Sequence, residues 1–296
     1  MFLQTKSNQE ALNVKETILK ESSKLRYDPT ATNPRNPEKK GAYFYKADDK
    51  TPEKVVRNRT TDLVEELDKS RNWAERTGEE TAQDKAKRLF GEKTHAALKN
   101  ILNRASEALQ GTQVTAVERH GVSESHYSVL EDYVNKLVKS YKPGSLFLSE
   151  VPVYDKKYDR GGTIDLIVVR PDGVIDIYDW KTIDMSKKSS IPWYKEENWN
   201  VQLTSYKTTL ESYGLKKFGR IRVIPIATKF NKDNKISSIS IGGKNLDQVP
   251  ITGLKGGDIE FTGDERIDKL IEVLASRLKK VVEIKVPYGD IKKKQL

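Results

Sequence analysis

The chain has 296 residues, a length at which one large domain, or a core domain with attached parts, can bury a sizeable core. Its 53 lysines and arginines outnumber its 43 aspartates and glutamates, and the net charge of +10 favours a polyanionic partner without indicating a fold. Cysteine is absent, which excludes disulfides, thiolate zinc sites, Fe–S clusters and cysteine nucleophiles.

The first eighty residues are polar, and we expect them to form an N-terminal extension that is helical or partly disordered. Helical spacing over Asn8–Leu25 predicts one helix, and Lys50–Lys69 returns to that spacing. Between them, Tyr27–Gly41 contains three prolines, and we expect no regular structure there. The main domain is predicted to occupy residues 81–296.

Two amphipathic helices are predicted next. Apolar residues recur at helical spacing from Thr81 up to Gly111, a typical C-terminal stop for a helix. A second segment carries apolar residues from Val129 to Tyr141 and ends at the turn-forming pair Pro143-Gly144. Both patterns leave one apolar face on each helix, and these faces require a partner to pack against.

Short apolar, β-branched segments follow and predict strands at Leu146–Tyr154, Gly162–Arg170 and Val174–Lys181. The residues between the last two segments, Pro171-Asp-Gly173, are typical of a tight turn. The second and third strands are therefore predicted to form a hairpin.

The remaining segments are predicted to form helices and strands. Trp199–Gly214 predicts a helix, and Arg220–Thr228 predicts a buried strand in which Pro225 indicates an edge or a bulge. Ile236–Ile241 is predicted as a further strand, and Asp264–Val282 as a closing helix. The fold class indicated is α/β, with a central mixed sheet flanked by helices.

Two carboxylates and a lysine belong to the predicted hairpin. Asp179 and Lys181 are two residues apart and so project to one face of their strand, while Asp165 lies on the preceding strand. Carboxylates from two strands can hold Mg²⁺, which supports phosphodiester hydrolysis, and a nearby lysine can stabilise charge on the phosphate. The alternative is a solvated aspartate and lysine near a strand end, or a surface ion pair of little consequence.

Other polar residues can join this group. Glu150 lies on the strand before Asp165, and His95 lies on a helix whose apolar neighbours place the imidazole inward. Gln202 and Tyr206 are four residues apart and share one helical face, from which they can hydrogen-bond to the site. Taken singly, each also fits an ordinary role: an exposed strand glutamate, a satisfied core histidine, a polar helix pair.

The order of these motifs resembles the RecB-like branch of the PD-(D/E)xK nuclease superfamily, over roughly Lys87 to Tyr213. The resemblance implies a restriction-endonuclease-like core within residues 81–296. The metal ligands that it implies are His95, Asp165, Asp179 and the peptide carbonyl of Trp180. The other catalytic residues that it implies are Glu150, Lys181, Gln202 and Tyr206.

The activity implied is that of a deoxyribonuclease dependent on Mg²⁺ or Mn²⁺, with an exonuclease favoured over an endonuclease. Single-stranded or end-bearing DNA is the expected substrate, in replication, recombination, repair or phage genome processing. Several relatives hold an Fe–S cluster with four cysteines, and no such cluster is expected here because this chain has none. Gly242-Gly-Lys244 falls short of a phosphate-binding loop, so a helicase or another replication or recombination protein would be a separate partner.

Aromatic residues mixed with lysines, in Tyr154–Tyr158 and Trp193–Trp199, suit stacking on unpaired bases, although packing on the sheet is an equal alternative for each ring. Met1–Lys20 lacks the apolar core of a secretory signal, and no stretch is apolar enough to span a membrane. We therefore expect a cytoplasmic protein of a bacterium or a virus-infected cell, or a virion-associated one. Two other functions stay open: a non-catalytic DNA-binding or virion-associated module, and a site-specific endonuclease.

Overall fold

The computed structural model describes residues 2–35, 39–70, 81–186, 191–233, 235–241, 259–260, 269–274 and 277. In this part of the chain, the helices with both ends described are α1 (Phe2–Ser22), α2 (Thr60–Ser70), α3 (Ala82–Gln110), α4 (Glu124–Lys139) and α5 (Trp193–Ser212). The strands are β1 (Leu25–Thr32), β2 (Lys40–Tyr45), β3 (Lys54–Val55), β4 (Asn58–Arg59), β5 (Leu146–Asp155), β6 (Arg160–Val169), β7 (Ile175–Asp184), β8 (Phe218–Phe230), β9 (Ile236–Ile241) and β10 (Ile259–Glu260). None of the helices described is both long and apolar enough to cross a membrane.

A mixed sheet of seven strands, counted over the described ranges, forms the centre of the fold. Strands β5, β6 and β7 run antiparallel in succession, β7 and β8 run parallel, and β9 and β10 both pair with β8. A smaller sheet has the order β1-β2-β3. The observed architecture is therefore the predicted α/β class, with a central mixed sheet and helices against it.

Each face of the central sheet is covered by a different pair of helices. On one face, α1 and α5 contribute Ile18 and Leu203 to a buried cluster with residues of the sheet. On the other face, α3 and α4 contribute Leu98 and Leu130 to a second cluster. Burial of apolar surface on both faces stabilises the sheet by roughly 25 cal/mol for each Å² removed from water.

The register of the β6–β7 hairpin is fixed by a buried aspartate. Asp176 is fully buried and accepts hydrogen bonds from Nε and Nη2 of Arg170, at 2.9 and 2.7 Å. It also accepts from the Tyr141 hydroxyl and the Arg220 amide, each at 2.6 Å. A slip of one residue would turn every side chain of β7 to the opposite face. This network therefore sets which residues of β6 and β7 lie opposite each other.

Both edges of β6 are used, one of them by two different strands. β5 pairs with β6 from end to end except at Glu150 and Asp165, so β4 and β7 must share the other edge. β7 pairs with residues 166–169 and β4 pairs with residues 160–161. The edge between them, at residues 162–165, has no strand partner among the described residues. A short gap in the middle of the sheet is the result.

The prediction of no regular structure over Tyr27–Gly41 is wrong. Strands β1 and β2 occupy most of this stretch. β1 is the outer strand of its sheet and pairs only with β2, so the amide hydrogen that Pro29 lacks is not required by a strand on the other side. The pairing also shifts between Asp28 and Thr32, where a bulge accommodates the proline-containing run. The single helix predicted over Lys50–Lys69 is wrong in its first half, because β3 and β4 precede α2.

Most predictions from Thr81 onward are confirmed. Thr81 caps α3 through its side chain, and Gly111 ends that helix in the left-handed conformation. The helix predicted from Trp199 begins six residues earlier, directly after Pro192. The predicted strands from β5 to β9 are all present: β9 has the predicted bounds, and the other four are longer or slightly shifted.

The presence of Pro225 had suggested that β8 lies at an edge of the sheet or contains a bulge. β8 is not an edge strand. β8 pairs with β7 on one side, and on the other side with β10 up to Val223 and with β9 from Ile226. The proline lies between these two partners, where no residue of β9 or β10 pairs with it. Of the helix predicted over Asp264–Val282, residues 269–274 and 277 are helical and the others lie outside the described residues.

The N-terminal segment packs onto the central sheet. Ala11 and Ile18 of α1 are buried in the cluster beneath it, and β4 forms part of the sheet itself. Tyr43 of β2 lies against β6, where a Cβ added to Gly161 would come within 2.8 Å of Tyr43 Cγ. The division of the chain at residue 80 stays a prediction, and the helix and strands before it are in contact with the main domain.

We predict that Gly162→Ala destabilises the fold. The added Cβ would lie 2.5 Å from Thr60 Oγ1 and 2.7 Å from Tyr206 Cε1, so α2 or α5 would have to move. Overpacking of this kind costs about 1–3 kcal/mol, which chemical denaturation of the purified variant can measure. The matched control is Gly91→Ala, whose Cβ would meet only Thr182 Oγ1, at 3.2 Å, and which we expect to change stability less. Equal stability of Gly162→Ala and the unmodified chain would contradict the prediction.

Candidate metal centre

Strands β6 and β7 separate at the predicted site. Their last pair is Leu166 with Tyr178, and the next positions in that register are Asp165 and Asp179, which do not pair. Past this point the Trp180 amide donates to Asp165 Oδ2 at 2.7 Å. The carboxylate thus takes the place of a strand partner, and a buried amide hydrogen is satisfied without closing the gap between the strands.

The strand on the other side of β6 also departs from regular geometry here. Glu150 has a φ of +52°, in the left-handed region that residues other than glycine rarely adopt. Leu148 and Val151 pack in the same cluster although they are three residues apart, so the alternation of faces is inverted at Glu150. Non-glycine residues in this conformation cost about 1–3 kcal/mol and concentrate at functional sites.

The same inversion occurs on β6, at Asp165. Ile164 and Ile167 share the cluster beneath α5, whereas Leu166 belongs to the cluster beneath α3. Pairing between β5 and β6 is interrupted where Glu150 and Asp165 face each other and resumes on both sides with the same register. Two carboxylates are therefore turned out of the regular pattern at facing positions of neighbouring strands.

His95 of α3 completes this group. Its Nδ1 lies 3.5 Å from Asp165 Oδ1 and 3.9 Å from Glu150 Oε1. One ligand atom from each of the three residues lies within 4.8 Å of the others, a separation that a single metal ion can bridge. The side chains of His95 and Glu150 are 31% and 28% exposed, so the group is open to solvent on one side.

A second group of polar side chains surrounds Asp179. Lys181 Nζ lies 2.7 Å from Asp179 Oδ2, and Gln202 Nε2 donates to Asp179 Oδ1 at 3.3 Å. Gln202 Nε2 also lies 3.1 Å from the hydroxyl of Tyr206, one helical turn away on α5. Gln202 and Tyr206 are both buried, so α5 holds the Asp179 carboxylate from beneath.

The pKa shifts of His95 and Asp165 indicate that the carboxylates of this group attract positive charge. Burial opposes a charge on His95, but the Asp165 and Glu150 carboxylates outweigh it and raise the pKa of His95 to about 10. Burial also disfavours the Asp165 carboxylate, but the positive charges of His95 and Lys181 and the Trp180 amide lower its pKa. Carboxylates that draw a proton onto the imidazole would also attract a cation of higher charge.

Asp179 and Lys181 form a pair in which burial and attraction oppose each other. Burial raises the pKa of Asp179 to about 6 against the attraction of Lys181. Burial disfavours the Lys181 ammonium as well, but Asp179 and Asp165 outweigh it and raise its pKa. The ammonium group is thus kept charged in a half-buried position, beside two carboxylates.

The donor set fits a divalent cation. Carboxylate oxygens and an imidazole nitrogen are ligands for Mn²⁺, and the oxygens also suit Mg²⁺. Asp179 Oδ2 is buried, and its charged partner is the Lys181 ammonium at 2.7 Å.

The structure brings the predicted site residues together, in two adjoining groups. His95, Glu150 and Asp165 form the group with metal-ligand spacing, while Asp179 contacts Lys181 and Gln202 instead. The Trp180 side chain is buried on the α3 and α4 side of the sheet, and its amide is the donor to Asp165. The roles of these residues, including those of Asp179 and the Trp180 carbonyl as ligands, stay predictions.

Tyr43 adjoins the site and was not predicted from the sequence. Its hydroxyl lies 2.9 Å from Thr163 Oγ1, two residues before Asp165 on β6. Burial raises the pKa of Tyr43 to about 12. Its segment carried no signal for a role at the site, because the prolines around it indicated turns and its contact with β6 spans 120 positions of sequence.

Comparison with known proteins identifies a family. The family model described as the PD-(D/E)XK nuclease superfamily matches residues 53–283, which include all the predicted site residues. A search of curated proteins gave no match. The matched range starts before β4 and so includes the strand that borders the gap in the sheet.

We predict that the His95 group binds Mn²⁺. Isothermal titration of the purified chain should show a site whose affinity falls at least about tenfold in His95→Ala and in Asp165→Asn, because each variant removes a ligand. Asparagine at position 165 retains an oxygen that can accept from the Trp180 amide. The matched control is His120→Ala, which removes an imidazole from a loop outside the site. Equal affinity of His95→Ala and the unmodified chain would refute this site.

Proposed function

This chain belongs to the PD-(D/E)XK nuclease superfamily, and from that premise we propose that it is a metal-dependent deoxyribonuclease of the RecB-like branch. The observation that carries the proposal is the open strand gap, at which His95, Glu150 and Asp165 meet beside the Asp179–Lys181 pair. The order of these residues along the chain, together with Gln202 and Tyr206 on α5, supports the assignment to that branch.

The ligands of the ion would be His95, Glu150 and Asp165, with Asp179 and the Trp180 carbonyl as the further ligands that the resemblance implies. A divalent ion at this place polarises a phosphoryl oxygen and lowers the pKa of water. Lys181 places its ammonium group beside the phosphate and stabilises the charge that develops during hydrolysis. Gln202 holds one oxygen of Asp179, which keeps the carboxylate oriented toward Lys181.

Several features support DNA with a free end as the substrate. The net charge of +10 favours association with a polyanion. The site lies in a gap within the sheet, enclosed by α3 on one face and α5 on the other. A single strand or a strand end enters such a recess more easily than continuous duplex, which supports an exonuclease acting in replication, recombination, repair or phage genome processing.

The alternative is a non-catalytic DNA-binding or virion-associated module. Burial of Asp179 and Asp165 argues against it, because the effective desolvation penalty is several kcal/mol for each buried ion. A surface that only binds phosphate needs exposed cations and no buried carboxylates. The retained charges and the strained Glu150 backbone are features that a catalytic site explains and a binding surface does not.

We predict that Asp179→Asn and Lys181→Met abolish cleavage of linear DNA in the presence of Mg²⁺ or Mn²⁺. Loss of one charge-stabilising group costs roughly 10²–10³ in rate, and the carboxylate that remains in Lys181→Met is left unpaired as well. The measurement is the release of labelled nucleotides, with circular dichroism to verify folding.

Lys217→Met is the matched control for this pair. Lys217 forms an ion pair with Glu10 next to the start of β8, whereas Lys181 lies toward the other end of the paired strands. Cleavage by the control should equal that of the unmodified chain. Undiminished cleavage by folded Lys181→Met would refute the proposed role.

The preference for DNA ends gives a separate prediction. Linear single-stranded and duplex DNA should be degraded, while covalently closed circular DNA of the same sequence should stay intact under the same conditions. Gel analysis of both substrates over time distinguishes the two modes. Linearisation of the closed circle would instead identify an endonuclease.

A further inference from the structure

A cleft of about 440 Å³ opens beside Lys181, and the residues of the His95 group are not among those that line it. Its walls come from the first turns of α3 and α5 and from the last residues of β7 and β8. The lining residues used below are Lys87, Phe90, Lys181, Tyr194, Lys195 and Phe230. The volume is within the range of pockets that enclose a small organic ligand, about 300–1,000 Å³.

The cleft combines rings with positive charge. Phe90, Tyr194 and Phe230 are all partly exposed, and Trp199 forms a buried part of the wall. Lys195 Nζ lies 5.9 Å from the centre of the Tyr194 ring, so a cation accompanies one of the aromatic faces. Rings for stacking and cations for the backbone are the two components of sites that bind single-stranded nucleic acid.

The acidic residues of the cleft are balanced within it. Asp184 Oδ2 lies 3.0 Å from Lys87 Nζ and accepts a hydrogen bond from the side-chain Nε2 of Gln83 at 3.4 Å. Asp84 is the other carboxylate of the lining and lies 3.7 Å from the same lysine. With Lys181 paired to Asp179, the three lysines of the lining match three aspartates in or beside the cleft, so a phosphate meets no excess of negative charge among these described residues.

The cleft adjoins the candidate metal centre at Lys181. On α3, Lys87 lines the cleft and His95 belongs to the metal group, eight residues further along. That separation is about 12 Å along the helix axis, or roughly three to four base steps of 3.4 Å on a nucleic acid strand. Lys181 lines the cleft and also contacts Asp179, so a strand that reaches the metal group passes this lysine.

We propose that this cleft binds an unpaired nucleotide of the substrate strand, a few nucleotides from the phosphate that is cleaved. The inference rests on the proposed function and adds the part of the substrate that is recognised. Stacking on Tyr194 and Phe230 requires an uncovered base face, which neighbouring bases cover inside a duplex and which a single strand or a frayed end exposes. The ligand is thus single-stranded DNA, held by its base and its backbone together.

The test uses the full chain and a labelled single-stranded oligonucleotide. Phe230→Leu and Tyr194→Leu keep an apolar side chain and remove the ring. Each should raise KM by about 5- to 100-fold, the loss that corresponds to stacking of one base, while kcat changes by less than about threefold. Tyr194→Phe restores the ring and should return KM toward that of the unmodified chain.

Lys85→Ala is the matched control for Lys87→Ala. Both lysines lie in the first turns of α3, but Lys85 is exposed and outside the cleft. Lys87→Ala should raise KM, and Lys85→Ala should leave it unchanged. A purely structural defect would lower kcat and thermal stability in the leucine variants and would not be rescued by Tyr194→Phe.

Binding measurements separate this inference from the proposed activity. Fluorescence anisotropy with the same oligonucleotide, in a buffer with a chelator, reports binding without cleavage. If the unmodified chain cleaves DNA and Phe230→Leu and Tyr194→Leu leave KM and anisotropy unchanged, the cleft assignment is overturned and the nuclease activity stands. If no cleavage occurs but both leucine variants weaken binding, the cleft assignment stands and the proposed activity fails.

Discussion

The hydrogen bond from the Trp180 amide to Asp165 Oδ2 is the interaction on which the site depends. Two strands that separate in the middle of a sheet leave buried amide groups without partners, and an unmade hydrogen bond of this kind costs about 1–3 kcal/mol. The Asp165 carboxylate provides one of the missing acceptors. The charged form accepts this bond more strongly than a neutral carboxyl would, so the open geometry of the gap and the charge of the site are linked.

The gap also explains why so many separate segments are needed. β7 forms one border and β4 the other, while α3, β5 and α5 contribute His95, Glu150 and Gln202 from three directions. Burying charged side chains costs free energy. The Lys181–Asp179 and His95–Asp165 contacts offset part of this cost by pairing opposite charges. A cation at the His95 group would complete that compensation, which is the physical reason for placing the metal there.

The sequence indicated the centre of this arrangement because its parts are local. A turn of three residues joins the strands of Asp165 and Asp179, and the spacing of two between Asp179 and Lys181 sets their common face. The caps at Thr81 and Gly111 likewise mark α3 without reference to the rest of the chain. Hairpin and helix signals of this kind are contained within a few residues, so they can be read directly.

The features that the sequence did not indicate depend on distant contacts. β4 is two residues long and pairs with residues about a hundred positions away, so no periodic pattern can reveal it. The left-handed backbone of Glu150 is imposed by the interrupted pairing with Asp165, and glutamate has no local preference for it. Strand β1 retains its proline because only one neighbour pairs with it, a fact of the assembled sheet.

The central claim is that the strand gap forms a metal centre from His95, Glu150 and Asp165. Anomalous X-ray scattering from crystals of the chain grown with Mn²⁺ would locate the ion directly. The account predicts a peak bound by the Asp165 carboxylate and the His95 imidazole, at ligand distances of about 2.0–2.4 Å. A well-occupied Mn²⁺ elsewhere, with no peak between these side chains at saturating metal, would contradict it.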